Sequence, residues 1–309
     1  MKFKKKIPVS GRVVRDVVAK SLTGVTVLVI IIIIVSILVI TIAGGWKDLT
    51  WEFLTQNPKD GMTRGGIFPA IFGTALMTLI MTIAAVPFGV ITAIYLAEYA
   101  SEQSVFAKTI RFAVKTLAVV PSIIFGLFGL GFFIKFVGLH IDNIFFGGEL
   151  RWGQPNILWA SLTMALLTLP VVIVSVEEAI RVIPHDMREA SLALGATKWQ
   201  TIKNVVLPGS MTGILTGTIL AISRGAGEVA PILFTGAAYY VAELPTSLNQ
   251  QFMSLGYHIY IMSTQSTNVD ETLPIQFATT LVLLLLTFSL SLIAVILRYR
   301  IRKKAIQSS

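Results

Sequence analysis

Six long apolar segments constrain this chain to folds that cross a membrane. The first, 22–43, holds about twenty apolar residues, the length that a helix needs to span the hydrocarbon core. Lipid leaves no partner for exposed backbone groups, so such segments cross as helices. The 309 residues are 54% hydrophobic and only 13% charged, which is too apolar for a soluble globular protein. The predicted fold class is an all-α integral membrane protein with six transmembrane helices.

The segments also divide the chain. The five further predicted spans are 67–96, 112–137, 157–176, 209–234 and 277–297. The first apolar run is too long for a cleaved signal peptide and lacks a small-x-small cleavage site, so an uncleaved anchor is expected. The predicted regions are a basic cytoplasmic N-terminus at 1–20, a first transmembrane helix at 21–43, a transmembrane domain at 67–298 and a basic cytoplasmic tail at 299–309.

Lysine and arginine predict the orientation. The N-terminus, 97–111, 177–208 and the C-terminus carry seven, two, four and five of them, eighteen in all. The three intervening segments, 44–66, 138–156 and 235–276, carry four together. Basic residues concentrate on the cytoplasmic side of membrane proteins, so both termini are predicted to be cytoplasmic.

The sequence lacks the residues that several kinds of chemistry require. The chain has no cysteine, which excludes disulfides, thiolate metal sites and cysteine nucleophiles. Its three histidines are far apart and make no metal-ligand spacing. No Gly-Lys pair occurs, so a phosphate-cradling Walker loop is absent. We therefore expect neither an enzyme nor a cofactor bound by this chain, and any ATP-driven step must use another chain.

A polar stretch between the fourth and fifth predicted spans predicts a helical hairpin. Capping boxes are predicted at 186–189 and 197–200, each marking a helix start. Gly195 suits the left-handed position after a helix end, and Pro208 is predicted to end the second helix. The acidic first turn disfavours contact with anionic lipid. A small apolar face, anchored by Leu192 and Trp199, favours a groove on another protein.

This hairpin resembles the EAA loop of ABC-importer permeases. Glu189, Ala190 and Ser191 are followed by Gly195, with serine in place of the usual second alanine. In that family the loop is the cytoplasmic coupling helix that docks on a separate ATPase. The resemblance implies that a coupling loop at 184–208 contacts the ATPase through Glu189, Ala190, Leu192, Gly195 and Trp199.

The fifth predicted span carries a stripe of small residues. A glycine or alanine recurs at every fourth position, at Gly209, Gly213, Gly217, Ala221 and Gly225. Such a stripe permits close helix approach, either within the chain or across a subunit interface.

Arg224 and Glu228 stand in the same predicted span. A spacing of four places them on one helix face, with Arg224 about 22 Å along the axis. Charges so deep mark a substrate or ion pathway, and the alternative is a structural ion pair. Pro231 is a predicted hinge.

The span and its continuation resemble the PstA family of phosphate-importer permeases. Residues 221–236 match the signature Arg-x-x-Gly-Glu-x-Ala-Pro-Leu-Leu-Phe-Thr, and 86–99, 121–130 and 189–208 fit as well, so the resemblance covers 67–298. It implies the type I, MetI-like importer fold in a bacterial or archaeal cytoplasmic (inner) membrane. The implied partners are a PstC-like second permease, a dimeric PstB-like ATPase that uses ATP and Mg²⁺, and an external PstS-like phosphate-binding protein.

Phosphate suits the two charged residues. A guanidinium offers a planar donor fork for phosphate oxygens, and a carboxylate accepts the O–H of protonated phosphate. We therefore expect Arg224 and Glu228 to line the pathway and to pair with each other when it is empty. Alternatives are a permease for sulfate, molybdate or phosphonate, or a carrier that works without ATP.

Three further features have alternative interpretations. Glu177, Glu178 and Arg181 are expected to form a solvated helix exit. The alternative is a gate at the inner mouth, in which the resemblance implies that Glu178 takes part. Lys115 and Lys135 are expected to extend their side chains to the membrane boundary. Tyrosine and phenylalanine in the predicted external loop 235–276 predict either interfacial anchoring or a gate or docking surface.

Overall fold

The structure is a computed structural model that describes residues 9–59, 64–101, 103–241, 243–266 and 269–307. Within these ranges six helical segments are long and apolar enough to cross a membrane. They are Val13–Asp48, Phe68–Tyr99, Ser122–Phe145, Ile157–Arg181, Lys198–Gly227 and Thr272–Arg300. The predicted all-α membrane fold is confirmed. Part of the predicted N-terminus, 1–8, and the end of the predicted tail, 308–309, lie outside the described residues.

The elements follow one another in a simple order. The α-helices are α1 (Val9–Gly45), α2 (Trp51–Thr55), α3 (Phe68–Ile94), α4 (Val105–Leu117), α5 (Ser122–Phe128), α6 (Leu139–Phe145), α7 (Ile157–Arg181), α8 (His185–Ala193), α9 (Lys198–Thr201), α10 (Leu207–Gly227), α11 (Ile232–Thr235), α12 (Leu255–Gln265) and α13 (Val269–Gln307). A 3-10 turn covers Trp46–Asp48, and π-helical turns cover Tyr95–Tyr99, Gly129–Gly138 and Ile202–Val206. Strands β1 (Pro58–Lys59) and β2 (Arg64–Gly65) pair antiparallel.

Helix α7 is the centre of the fold. Within its apolar stretch 67% is buried, against 6% in the first span. Its neighbours α3 and α10 meet it through glycine: Gly89 faces Val172, and a Cβ on Gly217 would lie 3.0 Å from the Cβ of Ser175. Small residues allow helix axes to approach closely. The predicted small-residue stripe of the fifth span therefore packs inside the chain.

Helix α1 lies at the periphery. Nearly all of its apolar side chains are exposed in the single chain. Its C-terminal end packs on α13, where Gly44 meets the Phe277 ring and Gly45 meets the backbone of Ala278. A helix that is apolar all round and unpacked is suited to lipid.

The third span begins at Ser122, so the predicted start at 112 is wrong. Residues before it form a separate helix, α4, whose N-cap is Ser104. Pro121 then separates α4 from the third span, because its ring fixes φ and it has no amide hydrogen to donate to a continuing helix. A π-helical turn, Gly129–Gly138, follows inside the span.

The prediction that Pro208 ends the second helix of the hairpin is wrong. The helix continues from Lys198 to Gly227 as one span. Immediately before the proline the Leu207 amide donates to the carbonyl of Ile202, five residues back. This wider turn accommodates the proline ring without breaking the helix.

The segment predicted as a plain external loop, 235–276, is partly ordered into α12. Residues Ala237 and Phe252 form a parallel bridge. The Phe252 side chain is fully buried and packs near Gly73, so it belongs to the core and is not an interfacial anchor. Tyr239 and Tyr240 are about half exposed.

Candidate functional site

The hairpin turns on Gly195, whose φ of +86° is left-handed as predicted. The Ala196 amide donates to the Ser191 carbonyl (3.2 Å), and the Gly195 amide donates to the Leu192 carbonyl (2.9 Å). These two bonds form a Schellman motif, which closes the end of α8. Glycine adopts this conformation without the penalty that a Cβ would bring.

The second helix of the hairpin starts with the capping box predicted at 197–200. The Gln200 amide donates to Thr197 Oγ1 (3.3 Å), and the Thr197 amide donates to Gln200 Oε1 (2.7 Å). Across the hairpin the hydroxyls of Ser191 and Thr201 lie 2.9 Å apart. Because both ends and the crossing are hydrogen-bonded, the hairpin is a compact unit.

The first predicted capping box, between Asp186 and Glu189, is wrong. Helix α8 starts earlier, at His185, with Pro184 as its N-cap and no side-chain cap. Asp186 is therefore inside the first turn, where it still favours the positive end of the helix dipole. Glu189 instead lies 3.0 Å from His185 Nδ1, one turn back.

The hairpin exposes large apolar side chains. Leu192, Leu194 and Trp199 are 48%, 90% and 55% exposed, and Glu189 and Ala190 are exposed between them. Adjacent apolar side chains left open on a polar segment indicate a protein contact surface. The predicted coupling residues thus share one exposed hairpin, and Leu194 adds a further exposed apolar side chain to it.

Arg188 ties the hairpin to the membrane domain. Its guanidinium lies 2.8 Å from Glu98 Oε1, at the end of the second span, and both side chains are largely buried. It also donates to the carbonyl of Ile180 (2.8 Å) and to that of Ile183. A charged pair with further hydrogen bonds is strong when partly buried. α8 is thus fastened to the C-terminal ends of the second and fourth spans.

A second ionic cluster lies beside it. Glu177 Oε1 accepts from Arg111 Nε at 3.2 Å and from Arg181 Nη2 at 2.9 Å. Arg111 also donates to the carbonyl of Leu96 (2.7 Å). Glu178, the predicted gate residue, is exposed and makes no ion pair with any described side chain. At this end of α7 the ion pairs are therefore formed by the neighbouring Glu177.

Arg224 lies at mid-membrane depth. It is in the last turn of α10, next to Gly225, which packs against Met81 and Thr168. Those two residues are thirteen and eleven positions from the starts of α3 and α7, or about 20 and 17 Å at 1.5 Å per residue. The Arg224 side chain is exposed in the single chain. A charge at this depth that the chain leaves uncovered indicates a polar pathway or a subunit interface.

The prediction that Glu228 lies on the same helix face as Arg224 is wrong. Helix α10 ends at Gly227, and Glu228 is extended (φ −82°, ψ 132°). No ion pair joins the two among the described side chains. The fifth span thus stops short of the predicted 234. Irregular backbone at membrane depth persists only where protein buries it or water reaches it.

The break at Gly227 had a signal in the sequence. A glycine followed closely by Pro231 is typical of a helix end, whereas the hydropathy of the next residues favoured continuation. No signal in the sequence predicted the Arg188–Glu98 pair, because ninety residues separate its members.

The chain was compared with known proteins. The profile of a family described as "Binding-protein-dependent transport system inner membrane component" matches residues 85–303. A "Probable ABC transporter permease protein YqgI" of Bacillus subtilis (strain 168) is 32% identical over 225 residues, 73% of this chain and 71% of its own length. A "Phosphate transport system permease protein PstA" of Haemophilus influenzae is 32% identical, covering 72% and 73%. "PstA 1" of Mycobacterium tuberculosis (strain CDC 1551 / Oshkosh) is 35% identical over 201 residues, 64% of this chain and 61% of that protein.

Solved structures share the fold. A bacterial alginate ABC transporter in complex with an alginate-bound periplasmic protein aligns with a TM-score of 0.65 at 16% identity, covering 93% of this chain and 96% of that one. The inward-facing MetNI methionine ABC transporter aligns with a TM-score of 0.57 at 18% identity, covering 75% and 94%. The predicted MetI-like fold is confirmed. The chain belongs to the family of inner membrane components of binding-protein-dependent transport systems.

Proposed function

We propose that this chain is the phosphate-conducting permease subunit of an ATP-driven importer. The observation that carries the proposal is Arg224, a guanidinium at mid-membrane depth beside irregular backbone. Relatives named as phosphate permeases of the PstA kind support it. The chain would cross the cytoplasmic membrane with both termini inside and form half of the pathway. A second, PstC-like permease would form the other half.

The proposed substrate contact uses the two residues in different ways. Arg224 donates two parallel N–H groups to phosphate oxygens. Glu228, half buried on the extended segment, accepts the O–H that protonated phosphate has and sulfate lacks. One guanidinium does not neutralise a dianion, so the second permease supplies further positive charge. Because Glu228 lies beyond the end of α10, it can move toward an anion at Arg224 without unwinding the helix.

The proposed coupling site is the hairpin of the coupling loop at 184–208. A dimeric PstB-like ATPase that binds ATP and Mg²⁺ would dock on Leu192, Leu194 and Trp199. Closing of the ATPase dimer would move α8, and Arg188 would carry that motion to the second and fourth spans. The pathway would then open outward and receive phosphate from a PstS-like external protein. After hydrolysis it would return inward.

The test is uptake of radiolabelled phosphate by the assembled transporter in proteoliposomes, with ATP on the ATPase side. We expect uptake that requires ATP and is inhibited by unlabelled phosphate but not by sulfate, molybdate or phosphonate at equal concentration. Equal inhibition by another oxyanion would contradict the substrate. Uptake that persists without ATP would contradict the ATP-driven class and indicate a carrier.

A further inference from the structure

Helix α4 occupies a separate position at the membrane boundary, between the second and third spans. Its inward face, which includes Ala107 and Val114, packs on Leu96 and Ile173. Arg111 fastens the helix to Glu177, near the end of α7. Because Ile173 lies two turns into α7 from Arg181, α4 leans into the inner leaflet and does not project into the cytoplasm.

The other faces of α4 are open and carry large apolar side chains. Val105, Phe106 and Phe112 are 79%, 64% and 70% exposed. At a membrane boundary such side chains insert among acyl chains, as in interfacial helices. The position of α4 against the inner leaflet therefore indicates lipid as the material that covers this face.

Two lysines accompany this apolar face. Lys108 and Lys115 lie four residues before and three residues after Phe112, which places all three on one side of the helix. Both lysines are exposed and form no ion pair with any described residue. Residues 103–121 contain no aspartate or glutamate. The positive charge on this side of α4 is therefore uncompensated by the segment itself.

We propose that α4 binds anionic phospholipid head groups of the inner leaflet through Lys108 and Lys115. The lysine stems lie along the apolar face and the ammonium groups reach the phosphates. The two ammonium groups project from positions about 10 Å apart along the axis, so they reach neighbouring head groups. The site is distinct from the hairpin, whose exposed face carries Glu189. The proposal rests on the proposed orientation, which places 97–111 on the cytoplasmic side.

The test uses the absence of cysteine from the chain. A Phe112→Cys variant of the full chain is labelled with bimane and placed in nanodiscs of equal parts phosphatidylcholine and phosphatidylglycerol. Quenching is compared between a nitroxide on the phosphatidylglycerol head group and the same nitroxide on phosphatidylcholine. We expect both lipids to quench, with phosphatidylglycerol favoured about tenfold, because each lysine near a surface attracts anionic lipid severalfold.

Charge variants localise the effect. In a Lys108→Gln/Lys115→Gln background the preference should disappear, whereas the matched Lys47→Gln/Lys59→Gln variant, which removes two lysines near the other membrane face, should keep it. An unchanged preference in the first background would overturn the proposal. Quenching by aqueous iodide in place of lipid would overturn it too, because the face would then be solvated.

A second measurement covers the assembled transporter. With p-benzoylphenylalanine in place of Phe112, irradiation should give a lipid adduct. Crosslinks to the second permease or the ATPase would overturn lipid as the occupant. Orientation is tested apart from this: a Gln103→Cys variant should react with an impermeant thiol reagent only in opened cells. Reaction in intact cells would overturn the orientation, and with it the leaflet assigned to the site.

Discussion

At the scale of single residues, Arg224 and His258 show two different uses of a basic side chain. Arg224 lies at mid-membrane depth and is left open by its own chain. His258, on α12 outside the six spans, is 2% exposed, and its Nδ1 lies 3.4 Å from Thr279 Oγ1. Arginine cannot lose its charge, so it requires an anion or a polar pathway. Histidine is buried in its neutral form.

Stability should therefore depend on pH through His258. Burial lowers the pKa of His258 from 6.5 to about 4. Between these values the unfolded chain binds a proton that the folded chain does not, so the free energy of unfolding falls as pH decreases from 6.5 to 4. The loss is about 3 kcal/mol over the window. Thermal unfolding of the full chain should show a steeper pH dependence than that of His258→Gln. Parallel pH profiles would contradict this.

The sequence predicted the residue types of the candidate site but not their geometry. Arg224 and Glu228 were identified because charges are rare in apolar segments. The prediction that they share a helix face is wrong because Gly227 ends the helix and Glu228 is extended. Pair geometry across a helix end depends on backbone angles that spacing does not determine.

At the scale of elements, the fold depends on close packing of α10 on α7. Gly213 has no room for a side chain, since an added Cβ would overlap Ala179. The sequence predicted the close approach from the four-residue repeat but left its partner open. That partner is an intramolecular helix, a fact that depends on tertiary packing.

Gly213→Ala should destabilise the chain by about 1–3 kcal/mol, because a methyl group is forced between two helices. The matched control is Gly131→Ala, where an added Cβ meets no heavy atom within 4 Å. Differential scanning fluorimetry of both variants in the same detergent measures the contrast. Equal melting temperatures would show that α7 and α10 do not approach as described.

Arg188→Gln should uncouple the hairpin. Losing one member of a largely buried pair leaves Glu98 unpaired, which costs about 3 kcal/mol. In the assembled transporter we expect phosphate uptake to fall about tenfold or more while basal ATP hydrolysis continues. Arg181→Gln is the control, because Arg181 is half exposed and Glu177 keeps its pair with Arg111, so the change should cost less than about 1 kcal/mol. A parallel loss of uptake and ATP hydrolysis would indicate general damage and contradict a coupling role.

At the scale of the whole molecule, the chain leaves several of its surfaces open. The first span packs mainly on the sixth, the hairpin exposes apolar side chains, and Arg224 is uncovered. The sequence predicted the six spans well, because hydropathy over twenty residues is a strong signal. It misplaced the start of the third span and the end of the fifth, where proline and glycine interrupt apolar runs that continue beyond the helix.

Phosphate uptake by Arg224→Gln in the assembled transporter tests the central claim most directly. Loss of a charged, bidentate donor should reduce uptake about 10- to 100-fold, with subunit assembly unchanged. Arg224→Lys keeps the positive charge but loses the bidentate donor geometry, so its uptake should lie between that of Arg224→Gln and that of the unchanged transporter. Arg151→Gln, at an exposed ion pair outside the proposed pathway, should transport normally. Near-normal uptake by a fully assembled Arg224→Gln transporter would contradict the claim that phosphate passes this residue.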